Sequence, residues 1–274
     1  MRDEPLPEST PPAAGIRVGI GGWVYAPWRN NFYPKGLVQR RELEFASRQL
    51  TAIEINGTYY GAQKPATYAK WRDETPPDFV FSAKAPMRIM QSRVLARTGP
   101  QVDDFLGGIA SLGDRLGPIV WQFDAGTRLQ RDDFAAFLEL LPVDRHGQRW
   151  RHVLDVRDAS FVDAAFLGLA RRHGMATVYT DSAKYPSFAD LTADFVYARL
   201  MCSRAQVETG YAASELDEWA RRVGQWREGG DPAELPHLGG EAARAPREVF
   251  VFFISSAKER NPAAAMALLD RLRR

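Results

Sequence analysis

The chain alternates between short apolar runs and longer amphipathic segments. Eight of the runs have the length of β-strands and are rich in Val, Ile, Leu and Phe: 16–22, 52–56, 79–84, 119–122, 152–157, 176–180, 195–200 and 249–254. In the second run, side-chain alternation places Ile53 and Ile55 on one face and Glu54 and Asn56 on the other. Most of the other runs are unbroken, as is typical of strands that are buried on both faces.

Segments with helical spacing of apolar residues lie between these strands. The pattern predicts helices over 37–50, from Pro65 onward, over 102–116, 131–141, 161–172 and 214–226, and from Pro262 to the end. The helix over 131–141 is the clearest, with Phe134, Phe137 and Leu138 on one stripe. A stretch rich in Gly, Pro and Ala over 229–246 predicts a long loop.

Strands that alternate with helices in this way indicate an α/β fold with a parallel sheet and outer helices. Eight strands in 274 residues favour a single closed (β/α)8 barrel, the TIM barrel, over a doubly wound sheet. We expect this domain to span residues 15–274. Residues 1–14 are charged and proline-rich with no apolar run, so they predict a disordered tail rather than a signal peptide or an anchor.

Composition narrows the classes of function. A formal net charge of only +2 does not demand a polyanionic partner, and 26% charged residues are ordinary for a globular protein. One cysteine and four scattered histidines do not supply a tetrahedral zinc site or an internal disulfide. We therefore expect a cytoplasmic protein that does not associate with membranes and has no tightly bound zinc.

Nearly every predicted strand ends in a polar or aromatic residue. In TIM barrels the site lies at the C-terminal ends of the strands, so these residues predict a small polar pocket. They are Trp23, Glu54, Asn56, Lys84, Gln122, Asp155, Arg157, Asp181, Ser182, Arg199, Ser255 and Ser256.

Three cations from separate strands, Lys84, Arg157 and Arg199, suit a small anionic ligand such as a phosphate ester. Glu54, Lys84 and Asp181 are the candidate catalytic residues, with Glu54 as a general base. Trp23, Asn56, Tyr60, Gln122, Arg157 and Arg199 are the candidate ligand-binding residues. Glu54 and Lys84 end consecutive strands, so we expect them to form an ion pair across the rim. A buried salt-bridge network that closes the barrel mouth would explain the same residues without any chemistry.

The motif series GIGGWVYAPWRNNFYP, AIEINGTYY, FSAKAP, LGPIVWQF and DFVYARL resembles that of the YecE-like family. The resemblance runs from about residue 16 to 200 and is weaker beyond. It implies a TIM-barrel fold, no established reaction, and a suggested likeness to metal-dependent endonuclease barrels. The family's rim positions fall on Trp23, Glu54, Asn56, Tyr60, Lys84, Gln122, Arg157, Asp181 and Arg199.

The chain departs from the family pattern at the rim. Where the family usually has Glu-Phe-Arg-His-Pro-Ser-Trp, this chain reads DVRDASF over 155–161, so the histidine is replaced by Asp158. Met201 and Cys202 stand where the family often has His-Gly, and Ser255 and Ser256 stand where Asn or Asp is common. These changes allow the chemistry of this chain to differ from that of its relatives.

Several functions stay open at this stage, including whether the protein is an enzyme, such as a hydrolase. A nucleic-acid-processing barrel would use the aromatic residues to stack bases, but the low net charge does not favour it. No cofactor is predicted, although Glu54 and Asp181 offer oxygen ligands suited to magnesium. A glycosidase-like barrel would use Glu54 and Asp155, with Trp23 and Tyr59 stacking on sugar. The last alternative is a paralogue that has lost its activity.

Overall fold

Eight parallel strands form a closed barrel in the computed structural model, which describes residues 14–145, 147–240 and 242–273. The barrel strands, in chain order, are β1 (Ile16–Gly21), β2 (Ala52–Ile55), β3 (Val80–Lys84), β4 (Leu116–Phe123), β7 (His152–Val156), β8 (Ala176–Thr180), β9 (Phe195–Leu200) and β10 (Glu248–Phe253). Two short strands, β5 (Asp144–Arg145) and β6 (Gln148–Arg149), form a separate antiparallel pair. The TIM-barrel prediction is confirmed.

The described residues form eight α-helices around the barrel, of which the first seven lie between strands and the eighth follows the last strand. They are α1 (Glu42–Gln49), α2 (Pro65–Asp73), the single turn α3 (Met87–Met90), α4 (Gly99–Ile109), α5 (Arg131–Leu138), α6 (Ala164–Arg172), α7 (Ala213–Arg227) and α8 (Asn261–Leu272). Within the described part of the chain, no helix is both long and apolar enough to cross a bilayer. The tail predicted over 1–14 lies, apart from Ala14, outside the described residues.

The barrel closes between its first and last strands. Ile16 lies opposite Val249 in the parallel β1–β10 pair, while Gly21 lies opposite Glu54 in the β1–β2 pair. Because all eight pairs are parallel, the C-terminal ends of all eight strands lie at one rim. Closure needs close backbone approach at Gly19, where an added Cβ would lie 1.9 Å from the carbonyl oxygen of Ala52.

Apolar side chains fill two layers. Inside the barrel, Ala52, Val120, Tyr197 and Phe252 belong to one buried cluster. A larger cluster lies between the strands and the helices and includes both Ile53 and Ile55. The alternation read from the sequence of β2 is therefore correct, and it places Glu54, between these isoleucines, inside the barrel.

Among the predicted strands, the largest departure is in the fourth. The apolar run predicted a strand over 119–122, whereas β4 begins three residues earlier and includes Pro118. The β3–β4 register shifts between Phe81 and Ala83, beside this proline, and the Ser82 hydroxyl donates to the Pro118 carbonyl at 2.8 Å. An irregular pairing tolerates a residue that has no N–H to donate.

Some observed helix ends also differ from the predicted ones. The helix predicted over 37–50 begins at Glu42, and that predicted over 161–172 begins at Ala164. The helix predicted over 102–116 is α4 followed by a 3-10 segment, which Gly113 interrupts with a φ of 56°. A positive φ is readily adopted by glycine and ends regular helical hydrogen bonding.

Candidate functional site at the barrel mouth

Arg199 is the centre of a buried ionic network inside the barrel. Its side chain is almost fully buried and donates to both oxygens of Glu54, from Nη2 at 2.5 Å and from Nε at 3.0 Å. Nη1 donates to Asp155 Oδ2 at 2.5 Å. The Tyr197 hydroxyl also donates to Glu54, at 2.7 Å. One planar guanidinium thus pairs two carboxylates, as its fork of donors allows.

Each charged group of this network favours the ionised state of its partners. Burial alone would raise the pKa of Asp155, but the guanidinium groups of Arg199 and Arg157 outweigh burial and bring it below the ordinary value. Burial opposes the charge on Arg199, yet Glu54 and Asp155 raise its pKa above the ordinary value. Both ionised forms are therefore favoured, because each charge is compensated by the other.

Glu54 pairs with Arg199 and not with Lys84, so the predicted ion pair across the rim is wrong. The Lys84 ammonium forms no hydrogen bond or salt bridge within the described chain; its Nζ lies 3.9 Å from the centre of the Tyr59 ring. A bidentate guanidinium satisfies both oxygens of Glu54, which a single ammonium cannot do. Burial, with a further contribution from Arg199, lowers the pKa of Lys84 to about 8.

A cavity of about 320 Å³ lies above this network, at the C-terminal rim. Six of the nine predicted site residues line it: Asn56, Tyr60, Lys84, Gln122, Arg157 and Arg199. The charged residues on its wall are Lys84, Arg157, Arg199 and Lys258, and none of the described carboxylates lines it. The structure thus brings the predicted ligand-binding cations to one cavity of small-molecule size.

Three predicted residues, Trp23, Glu54 and Asp181, do not line the cavity. Glu54 is fully buried below it. Trp23 packs edge-on against Trp71, with ring centres 4.9 Å apart, and lies against Phe81 at 6.2 Å. Its contacts are those of a residue packed against the core.

Asp181 has a different environment from that predicted. Its two carboxylate oxygens accept from the Met201 N–H at 2.6 Å and from the Tyr211 hydroxyl at 2.7 Å. Burial raises the pKa of Asp181 above its ordinary value, although these hydrogen bonds oppose the effect. Asp181 therefore organises the loop that follows β9.

The magnesium alternative does not fit these positions. All four oxygens of Glu54 and Asp181 already accept hydrogen bonds from protein groups. Over the described ranges, no group of three or more His, Cys, Asp or Glu side chains could hold a metal ion. Glu54 and Asp181 are thus carboxylates that accept hydrogen bonds from the protein.

The family model described as "Protein of unknown function DUF72" matches residues 17–274. The chain belongs to the DUF72 family. Its curated relatives include the UPF0759 proteins YecE of Escherichia coli O157:H7 and K12, each 25% identical over 260 residues, which are 85% of this chain and 90% of the relative. The resemblance to YecE-like proteins is thereby confirmed.

Solved structures of DUF72 proteins share the fold. The Thermotoga maritima protein superposes with a TM-score of 0.68 at 22% identity, over 92% of this chain and 96% of that one. The Enterococcus faecalis protein gives 0.64 at 15% identity, over 93% and 96%. A solved structure of SacUVDE gives 0.55 at 11% identity, over 94% and 99%. At these identities the likeness shows the fold alone.

Asp158 stands where the resemblance to the YecE-like family implies a histidine, and in this chain it binds backbone donors. Its carboxylate accepts from the Ser160 N–H at 3.0 Å and from the Gly126 N–H at 3.1 Å. These bonds cap the short turn after β7 and tie it to the loop after β4.

The wall of the cavity opposite Lys84 is partly formed by residues that the sequence did not single out. Lys258 and Asn261 come from the segment after β10 and line the cavity. The Lys258 ammonium lies 4.6 Å from the ring centre of Tyr25 and 5.4 Å from that of Trp28. Burial lowers the pKa of Lys258. The rule that every strand-to-helix loop contributes to the mouth would have pointed to this segment.

The backbone of the same segment is strained. Ser255 and Ser256 have φ angles of 63° and 48°, a region that residues other than glycine rarely adopt. The Ser256 hydroxyl donates to the Met201 carbonyl at 2.5 Å, and Asn261 Nδ2 donates to the Ser255 carbonyl at 3.2 Å. These bonds hold the turn that brings Lys258 to the cavity.

A hydrogen-bonded cluster holds Tyr59 and Gln122, which line the cavity, against Asp124, which does not. The Tyr59 hydroxyl donates to the Asp124 carboxylate, and Gln122 Nε2 donates to Asp124 at 2.6 Å and to the Tyr59 oxygen at 3.3 Å. Burial and the contact with Asp124 raise the pKa of Tyr59, so its phenol keeps its proton. Beside it, Tyr60 is 80% exposed at the edge of the cavity.

Proposed function

We propose that the protein binds a small anionic ligand, a phosphate ester, in the cavity at the barrel mouth. The observation that carries this proposal is the sign of the charge on the wall: Lys84, Arg157, Arg199 and Lys258 are all cations. A ligand with two or more negative oxygens would complement them. The +2 net charge of the chain is compatible with such a local concentration of positive charge.

The donors available to an anion differ among these cations. Arg199 is committed to Glu54 and Asp155 below the cavity. Arg157 donates from Nη2 to Asp155 at 3.1 Å, but its buried Nε has no hydrogen-bond partner among the described residues. A buried donor without a partner is unfavourable, and an anion would satisfy it. Lys84, Arg157 and Lys258 are therefore the proposed anion ligands.

The carboxylates favour binding over hydrolysis as the function. Glu54 and Asp155 are both paired with the same guanidinium. This pairing favours ionised, hydrogen-bonded carboxylates over a protonated acid and a free base, which a glycosidase needs. The geometry thus gives no support to Glu54 as a general base or to a glycosidase-like reaction.

Nucleic-acid processing is the second candidate, and Tyr60 is the observation that favours it. An aromatic ring that is 80% exposed beside a cationic cavity could stack on a base. The fold likeness to SacUVDE is compatible with this candidate. It predicts binding of single-stranded oligonucleotides with a steep dependence on salt.

Isothermal titration with glycerol 3-phosphate tests the first candidate. We expect saturable binding that Arg157→Met or Lys258→Met weakens about 10- to 100-fold, since a hydrogen bond to a charged group contributes about 1.5–3 kcal/mol. Lys64→Met, which removes an exposed lysine away from the cavity, is the matched control and should leave binding unchanged.

Absence of saturable binding in the wild type would refute the phosphate-ester proposal. Equal losses in Lys64→Met and Lys258→Met would show a general charge effect instead of a site. If a single-stranded oligonucleotide binds and glycerol 3-phosphate does not, the second candidate replaces the first. If neither binds, the paralogue without activity is the better description.

A further inference from the structure

The amine of Lys84 is held in the cavity without a polar partner. Its side chain is 7% exposed, at the end of β3, and the residue lines the cavity. The nearby carboxylates, Glu54 and Asp155, are occupied by Arg199. The contact recorded for Nζ is the face of the Tyr59 ring, at 3.9 Å. A nitrogen in this position presents its lone pair to the cavity whenever it is deprotonated.

The charged groups around Lys84 favour deprotonation. Burial is the largest effect on its pKa, and Arg199 and Arg157 add to it, while Glu54 and Asp155 oppose it. With a pKa of about 8, about a tenth of these amines would be neutral at pH 7, against fewer than about one in a thousand for an ordinary lysine. Desolvated lysines beside another cation are a recognised form of activated nucleophile.

We propose that Lys84 forms an imine with the carbonyl group of an anionic aldehyde or ketone bound in the cavity. This inference rests on the proposed function, because Arg157 and Lys258 would hold the anionic end of the same ligand. The structure thus assigns the ligand class as small phosphorylated or carboxylated carbonyl compounds.

The bond changes balance without an oxidant or a reductant. The neutral nitrogen attacks the carbonyl carbon, a C–N bond forms, and the π electrons move to the oxygen. The oxygen takes a proton and the nitrogen loses one, giving a carbinolamine. After a second proton transfer the hydroxyl leaves as water, and the nitrogen lone pair forms the C=N bond. The products are one imine and one water molecule.

The test traps this imine in the wild-type protein, so it does not depend on a variant that folds. The protein is incubated at pH 7 with glycolaldehyde phosphate, reduced with sodium borohydride, digested and mapped by mass spectrometry. The chain has only six lysines, which makes the map simple. We expect modification of Lys84 to exceed that of exposed Lys64 by about 10-fold or more, because Lys84 offers a buried, activated amine in the cavity, which Lys64 does not line.

Neutral glycolaldehyde is the matched probe, and Lys84→Arg is the matched variant, since arginine keeps the positive charge and cannot form the imine. Even labelling of all lysines, or equal labelling of Lys84 by the neutral aldehyde, would overturn the inference. If glycerol 3-phosphate still binds in that case, the proposed function stands alone. If glycerol 3-phosphate does not bind, both proposals fail.

Discussion

Replacing Arg199 by methionine should destabilise the barrel strongly at neutral pH. Glu54 is fully buried, and Arg199 is the cation that pairs with it. Leaving a buried charge without its partner costs about 3–5 kcal/mol. Asp155 adds less, because Arg157 still donates to it at 3.1 Å. For a domain whose total stability is about 5–15 kcal/mol, this loss is a large fraction.

The loss should shrink as the pH falls. In the wild type, Asp155 has a pKa below its ordinary value, so its contribution is present at neutral pH and is lost as the pH falls through the folded-state pKa. In Arg199→Met the penalty comes from an unpaired buried charge, and acid conditions relieve a penalty of this kind. The stability difference between the two proteins should therefore be largest near pH 7 and smaller toward pH 4.

Urea unfolding followed by tryptophan fluorescence measures both effects, because the chain has seven tryptophans. Arg247→Met is the matched control: Arg247 is also buried, but it donates to the backbone carbonyls of Ala193, Ala243 and Ala245. Its loss leaves no buried carboxylate unpaired and should show no such pH dependence.

A rescue variant separates charge from packing. Adding Glu54→Gln to Arg199→Met removes the uncompensated charge, so most of the lost stability should return. A loss below about 1 kcal/mol in Arg199→Met, or a pH profile identical to that of Arg247→Met, would refute the view that the network is desolvated. Failure of the rescue would instead indicate that the guanidinium acts mainly by filling space.

Two further predictions follow from the structure. Burial lowers the pKa of Lys84 from 10.5 to about 8, so the unfolded state binds more protons than the folded state between these pH values. The free energy of unfolding should therefore rise with pH across this interval. In Lys84→Met the rise should be smaller, and an unchanged slope would contradict the burial of the amine. Gly19→Ala should lower the free energy of unfolding in urea by about 2–3 kcal/mol, because its Cβ would lie 1.9 Å from the Ala52 carbonyl oxygen. Gly57→Ala is the control: its Cβ would lie in open space, so its free energy of unfolding should stay within about 0.5 kcal/mol of the wild type.

The sequence was sufficient to predict the fold because each barrel strand is buried on both faces. The predicted bounds of β8 and β9 are those observed, and every residue of both strands is buried. The fourth strand was predicted too short, because Gly117 and Pro118 are disfavoured in regular strands. Their place here depends on the shifted register of β3 and β4, which local sequence does not encode.

The composition of the cavity could be predicted from strand ends, but the pairing inside it could not. Alternation correctly placed Glu54 inside the barrel, yet its partner Arg199 lies 145 residues away along the chain. Lys84 and Arg199 both end barrel strands, and only the three-dimensional arrangement decides which cation reaches the carboxylate. Lys258 was missed because it follows its strand by several residues and reaches the mouth through a strained turn.

Hydrogen bonds between the loop after β1 and the segment after β10 have a consequence for synthesis of the chain. The Trp28 indole N–H donates to the Lys258 carbonyl at 2.8 Å, and Asn31 donates to the Glu259 carbonyl at 3.0 Å, across about 230 residues. Until the ribosome has added the segment after β10, the loop after β1 lacks these two carbonyl acceptors. Contacts of such long range form late and slowly. The part of the cavity wall that Lys258 forms therefore cannot assemble until translation has passed that segment, and the cavity is complete only in the closed barrel.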